Sequence, residues 1–288
     1  MRSPSRCASA PAATRIDRRS FFAALGAVGV AIAVRPARAQ TAILTDEVGI
    51  ETDSTDIAVT GGSMPIFFAK PVDADSLPTI LVVEESYGVN DYLRDVCRRL
   101  AKLGYLAVAP ELFFRQGNPA PIGDRPALSS SAVSRIADAQ VMSDLDACVA
   151  WAVGNGGDPR RIAATGFDWG GRIVWLYATH NSKLAAATVW YGLLDTSRTR
   201  ETPLQPADVV ERLKVPVLGL YGGKDREIPP EDIETLRARL ALADEECSIV
   251  VYPEAGHAFH ADYRSTYRPA EATDGWQRML DWFKRQGM

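Results

Sequence analysis

Short continuous apolar runs alternate with segments of helical period from residue 79 onward. This alternation narrows the possible folds more than any other feature of the chain. Residues 79–83 (TILVV), 105–109, 161–166, 185–191, 215–221 and 248–252 read as strands. Between and after them, 91–103, 137–153, 170–179, 230–242 and 274–285 read as helices. In the first helix Leu93, Val96, Leu100 and Leu103 recur at the spacing of one helical face. Apolar strands separated by helices imply an α/β fold: a mostly parallel sheet flanked by helices on both faces. Residues 40–288 fit one such domain, and 47% hydrophobic residues supply its core.

Two regions depart from the alternation. Residues 57–69 read as an N-terminal antiparallel hairpin turning at Gly61-Gly62. Residues 111–135 are rich in Pro, Gly and Ser and read as a long surface excursion or, preferably, a lid near the site.

The first 39 residues read as a targeting segment outside the fold. Arg18-Arg19 precede Ser20-Phe21-Phe22, an apolar run to Val34, and Ala37-Arg38-Ala39. Paired arginines, a short apolar core and an A-x-A site point to twin-arginine export. Mature protein beginning at Gln40 is then expected in the periplasm or outside the cell. The alternative is a retained membrane anchor, but the run of about 14 residues falls short of the roughly 20 that span a bilayer.

Other classes lose ground on composition. A net charge of −4 without a basic stripe gives no support to nucleic-acid binding. Outside the leader, which holds Cys7, the cysteines are Cys97, Cys148 and Cys247, without C-x-x-C spacing. Buried free thiols fit better than a disulfide framework or zinc site. There is no histidine pair at ligand spacing and no dinucleotide fingerprint, so neither a metal nor an organic cofactor is expected. A small-molecule substrate is.

Gly166-Phe167-Asp168-Trp169-Gly170-Gly171 lies between a strand and a helix, the setting of a nucleophile elbow. Glycines two residues either side of Asp168 let neighbouring backbone approach closely, and the following helix points N–H groups at developing negative charge. The plain alternative is a capping turn with Asp168 as N-cap. Partners in the right order favour the elbow. Asp225 follows strand 215–221, and His257 follows strand 248–252. Nucleophile, acid, histidine is the order of the α/β-hydrolase triad, and each falls beyond the C-terminal end of a strand, where open parallel sheets bind ligands. Of the other histidines, His180 falls late in a helix as a surface residue, and His260 reads as a neighbour with at most a supporting role.

The chain resembles the dienelactone hydrolases, within the α/β-hydrolases. The segments "EESYGVNDYLRDVCRRLAKLGYLAVAPELF" (84–113), "ATGFDWGGR", "YGGKDREIP" and "YPEAGHAFHADYR" carry the resemblance over most of the chain beyond the leader. It implies a triad of Asp168, Asp225 and His257 and an oxyanion hole from the amides of Trp169 and Ser86. It also implies contact between Glu85 and the nucleophile. The family pattern has cysteine where this chain has Asp168.

A carboxylate attacking an ester would form an anhydride, whereas displacement at saturated carbon gives an ester that water then cleaves. Dehalogenases and epoxide hydrolases, other α/β-hydrolase branches, resemble this chain in carrying Asp at the elbow. The leading expectation is therefore hydrolytic dehalogenation of a small haloacid through an aspartyl ester. The indole of Trp169 or Trp190, or the hydroxyl of Tyr87 or Tyr191, would hold the halide, and Arg115, Arg125 or Arg135 is available for the carboxylate. A second reading is lactone or ester hydrolysis with Asp168 as base for water. A third is a silent scaffold that binds small carboxylates, against which Asp225 and His257 stand. Glu85 beside Asp168 would put two carboxyl groups together, one of them holding a proton at neutral pH.

Overall fold

The computed structural model describes residues 42–117, 136–243 and 245–288. Eight strands form one sheet: β1 (Ile50–Val59), β2 (Gly62–Pro71), β3 (Leu77–Val83), β4 (Leu106–Pro110), β5 (Gly157–Phe167), β6 (Ala186–Trp190), β7 (Val217–Gly222) and β8 (Cys247–Tyr252). Among the described residues six α-helices accompany them: α1 (Asp91–Lys102), α2 (Asp138–Gly154), α3 (Trp169–His180), the single turn α4 (Pro206–Val209), α5 (Pro230–Leu240) and α6 (Pro269–Arg285). The strand order is β1-β2-β4-β3-β5-β6-β7-β8. β1 and β2 pair antiparallel, as do β2 and β4, and every other neighbour is parallel.

The parallel strands are continuous apolar runs because helices cover both faces. Every residue of β4, β6 and β7 is buried. Helix α1 illustrates the local logic. The Asn90 side chain caps it by accepting from the Leu93 amide at 3.1 Å, Asp91 occupies the first turn, and Arg99 and Lys102 occupy the last. Leu93, Val96 and Leu100 are buried, each contributing roughly 1.5–3 kcal/mol. Leu103, expected on the same face, is the C-cap and 52% exposed.

Three elements differ from the sequence expectation by more than two residues at a boundary. The hairpin is longer than 57–69, because β1 is an edge strand whose polar residues face outward. β5 begins at Gly157 rather than 161. Its polar start is held by Asp158, whose carboxylate accepts from the Arg160 amide at 2.9 Å and from Arg161 Nε at 2.9 Å. Pro159 is tolerated there because pairing with β3 shifts register at the same place. α6 begins five residues before 274, at Pro269, whose fixed φ suits a first turn.

In the 111–135 excursion, a 3-10 turn covers Phe114–Gln116. Residues 118–135, with the expected lid, Arg125 and Arg135, lie outside the described residues, as does the leader. Arg115 is not free for a substrate. It clasps Asp144 on α2 with both terminal nitrogens, at 2.7 and 3.1 Å, and donates to the Thr60 carbonyl. No helix among the described residues is long and apolar enough to cross a membrane. Cys97 and Cys148 are buried free thiols, and Cys247 is partly buried.

Candidate active site

Asp168 stands at the junction of β5 and α3 with φ 55° and ψ −118°, a conformation an L-residue adopts only under constraint. The surroundings impose it. The Asp168 amide donates to the Trp190 carbonyl at 3.1 Å, and the Asp168 carbonyl accepts from the Arg172 amide at 3.2 Å. A Cβ at Gly166 would lie 2.3 Å from the Gly170 carbonyl oxygen, and one at Gly170 would lie 2.3 Å from that of Glu84. The glycines of the motif are thus a steric requirement of the turn. The Asp168 side chain makes no capping bond, so the elbow reading replaces the N-cap reading.

Behind the elbow, Arg172 fixes α3. Its buried guanidinium grips Asp138 at 2.7 and 2.8 Å, Gln205 at 3.0 Å and the Leu204 carbonyl at 2.7 Å. One cation thereby joins the starts of α2 and α3 to the segment leading into α4.

The loops after β7 and β8 bring the other two residues in. They are tied together by the Gly223 amide on the Tyr252 carbonyl and the Lys224 amide on the Ala255 carbonyl, both at 2.8 Å. One oxygen of Asp225 accepts from the amides of Glu227 and Ile228, at 2.8 and 3.2 Å. The other meets His257 Nδ1 at 2.8 Å. That contact puts a proton on Nδ1 and aims Nε2 at Asp168, whose Oδ1 lies 3.4 Å away. The three expected residues therefore form one line: Asp168, His257, Asp225.

Charge follows from this geometry. Burial alone would raise the Asp168 carboxyl, but His257 and Ser86 outweigh it and hold the group below its ordinary value. Burial alone would lower His257. The two flanking carboxylates reverse that and push it up to about 10. At neutral pH the pair is carboxylate and imidazolium.

Ser86 binds the nucleophile position directly. Its amide and hydroxyl both donate to Asp168 Oδ2, at 3.2 and 2.5 Å. The amide expected to hold an oxyanion thus holds the aspartate. Trp169 sits at the first turn of α3 with its ring packed on Phe113, centroids 4.7 Å apart.

Glu85 is fully buried, and its expected pairing with Asp168 is secondary. Its Oε1 accepts from Asn90 Nδ2 at 2.8 Å and from the Tyr263 hydroxyl. Burial raises its carboxyl, Arg264 and Tyr263 oppose this, and Asp168 adds only a smaller upward push. Of the two carboxyl groups, Glu85 is pushed towards protonation and Asp168 away from it.

The proposed halide donors divide. Tyr191, at φ 37°, is buried edge-on to the His257 ring, 5.2 Å between centroids. Tyr87 lies under the Arg264 guanidinium at 4.5 Å. Trp190 is wholly buried, stacked on Phe167 and tilted against His260, which places it in the packing behind the site. His260 is buried too, its Nδ1 2.6 Å from the Tyr92 hydroxyl. His180 is exposed and meets Asp146 at 2.8 Å.

Sequence reasoning missed Glu227, whose Oε2 lies 4.0 Å from His257 Nε2, and the Asn90, Tyr263 and Arg264 cluster around Glu85. All four lie inside the segments that carried the resemblance. Their roles depend on loop conformation, which residue spacing does not encode.

An acidic elbow residue, an imidazole and a second acid above the C-terminal edge of a mostly parallel sheet define an α/β-hydrolase. More narrowly, the chain belongs to the dienelactone hydrolase family, which it matches over residues 64–287, and it is a hydrolase. The Escherichia coli K12 protein named "Putative carboxymethylenebutenolidase" is 50% identical over 86% of this chain and 92% of its own length. A protein of the same name from Methylorubrum extorquens is 49% identical over 97% of each chain. The crystal structure titled "Putative Dienelactone Hydrolase from Klebsiella pneumoniae" shares 51% identity and a TM-score of 0.79, over 82% of this chain and 98% of that one.

Proposed function

We propose that the chain hydrolyses the ring ester of a small enol lactone, of the carboxymethylenebutenolide type named for its half-identical relatives. The observation that carries the reading is the line of Asp168, His257 and Asp225, with contacts of 3.4 and 2.8 Å. Water adds to the lactone carbonyl and gives its proton to the Asp168 carboxylate. The oxyanion is held by the amides of Ser86 and Trp169, with Ser86 exchanging its bond to Asp168 for one to the substrate. As the tetrahedral carbon collapses, the ring C–O bond breaks and the leaving enol oxygen takes the Nε2 proton of His257. The Asp168 proton then returns to His257, closing the cycle. A carboxylate held below its ordinary pKa is a weak base, but an enolate is a good leaving group, and an imidazolium is a ready acid.

A second reading is favoured by one observation: Asp168 makes no helix-capping bond, and its Oδ1, the oxygen that Ser86 does not hold, faces His257. It would displace halide from a small haloacid, forming an aspartyl ester. Esterification removes one of the two carboxylates that raise His257, so the imidazole becomes a base when the ester must be hydrolysed. Water then yields the hydroxy acid, with halide and a proton released.

Single turnover in oxygen-18 water separates the two. Lactone consumed with label in the product carboxylate supports the first. Chloroacetate consumed with label in Asp168 supports the second. A folded protein inert towards both overturns both. We further propose that residues 1–39 direct export. N-terminal sequencing of the periplasmic fraction tests this, with Gln40 as the expected first residue and an intact leader as the contrary result.

A further inference from the structure

Glu227 is a charged residue at the site that neither hydrolytic course uses. It reaches in from the loop after β7 to within 4.0 Å of His257 Nε2, while Asp168 Oδ1 lies 3.4 Å from the same nitrogen. The three donor atoms lie within 4.8 Å of one another. Donors bonded to zinc at about 2.0–2.1 Å in a tetrahedron stand about 3.3 Å apart, so the shortest of these spacings already fits a shared ion. The Glu227 side chain is 60% exposed and can close the remaining gap, and it leaves the cluster open to solvent.

We infer that Asp168, Glu227 and His257 form a site for a divalent zinc-type cation, with a fourth position open to water. Three features support it beyond proximity. One imidazole nitrogen with two carboxylate oxygens is a donor set suited to zinc. Asp225 holds His257 Nδ1 at 2.8 Å, the outer carboxylate that orients a ligating histidine, and is itself fixed by two backbone amides. Three carboxylates, Asp168, Asp225 and Glu227, also lie against a single imidazole, and the cation would take the place of the Nε2 proton that otherwise balances them. The cation would occupy the path between Asp168 and His257, so metal binding and triad hydrolysis exclude each other.

This inference goes beyond the hydrolytic reading, and calorimetry tests it without turnover. The full chain, dialysed against a chelator, is titrated with zinc chloride. One saturable site per chain is expected. Glu227→Gln is expected to weaken it about tenfold or more, and Asp225→Asn about 10–100-fold although Asp225 supplies no ligand. His180→Gln, at the exposed pair with Asp146, is expected to leave it unchanged. Circular dichroism establishes that each variant is folded. Absence of saturable binding below 1 mM (roughly −4 kcal/mol) overturns the site. So does binding indifferent to Glu227→Gln, or binding lost with His180→Gln. Zinc that binds as expected in a chain inert towards lactones would leave this inference standing and the hydrolytic one fallen.

Discussion

His257 and His260 are three residues apart in one loop, yet their rings occupy opposite electrostatic settings. His257 has Asp225 on Nδ1 and Asp168 facing Nε2, and is pushed up to about 10. His260 is buried among Phe167, Trp190 and Trp276, and burial, with Arg99 adding to it, drives it down to about 3. Burial acts against the charged form in both. It loses at His257 because two carboxylates lie within contact distance, and wins at His260 because the polar contact there is a neutral hydroxyl. Position in a loop close to the site does not make a histidine functional. Its partners do.

Breaking the partner should therefore separate the two residues most sharply. Asp225→Asn leaves the shape of the site intact but lets Nδ1 lose its proton. The loss in kcat/KM is expected to be about 10^2–10^4-fold, measured on lactone or haloacid, whichever the protein turns over. A change below tenfold would mean that His257 is not oriented through Asp225. Next in size is Asp168→Asn, read by NMR titration of the His257 ring. Its midpoint should fall from about 10 towards the ordinary histidine range, while His260 stays where it is. A His257 midpoint that does not move would place the raising charge elsewhere.

The same contrast measures what the sequence reveals. Position 168 was legible because an elbow needs glycines at 166 and 170, and those glycines meet opposing carbonyl oxygens at 2.3 Å. Asp225 and His257 were legible because each follows an apolar strand, and strand ends are where a parallel sheet presents side chains. The alternation of β3 to β8 with helices was legible for the same reason. Glu227 was not, because it follows Asp225 by two residues in a turn whose direction is set by the amides of Glu227 and Ile228 on Asp225. Nor was the start of β5, where Gly157 to Arg161 carry no apolar pattern and are held by Asp158 and pairing with β3. That Glu85 and Asp168 would divide into a protonated and an ionised carboxyl was legible, but which of them takes the proton was not: Glu85 is pushed up and Asp168 down. Burial decides it, and the side chains that oppose burial most are Arg264 and Tyr263, the latter 178 residues away in sequence.

Tyr92→Phe tests the buried member of the pair. It removes the 2.6 Å contact to His260 Nδ1 and leaves a ring nitrogen without a partner in an apolar setting. Stability should fall by about 1–3 kcal/mol in urea denaturation. Turnover should change little, since neither Tyr92 nor His260 contacts Asp168 or His257 through a hydrogen bond. A large fall in kcat with unchanged stability would move His260 into the catalytic group.

The smallest effect is the pH dependence of stability, where the two rings should pull in opposite directions. His260 has a folded pKa below the unfolded value near 6.5. Unfolding lets it take up a proton the folded chain refuses, so its contribution is present above 6.5 and lost as pH falls towards about 3. His257 has a folded pKa above 6.5, so its contribution is complete below that value and is lost as pH rises through about 10. Urea midpoints across pH for the natural chain and for His260→Phe, which keeps a ring against Trp276, should converge on the acid side and run parallel above neutrality. The same comparison with Asp225→Asn should converge on the alkaline side instead, because that variant weakens the raising of His257. Carboxyl groups add their own acid limb, which is shared and cancels for His260→Phe; Asp225→Asn lacks one carboxyl, so that pair is compared above pH 6.5, where the loss of the His257 contribution falls. If both variants instead lose stability by the same amount at every pH, the two histidines differ in packing alone, and the electrostatic contrast between them is wrong.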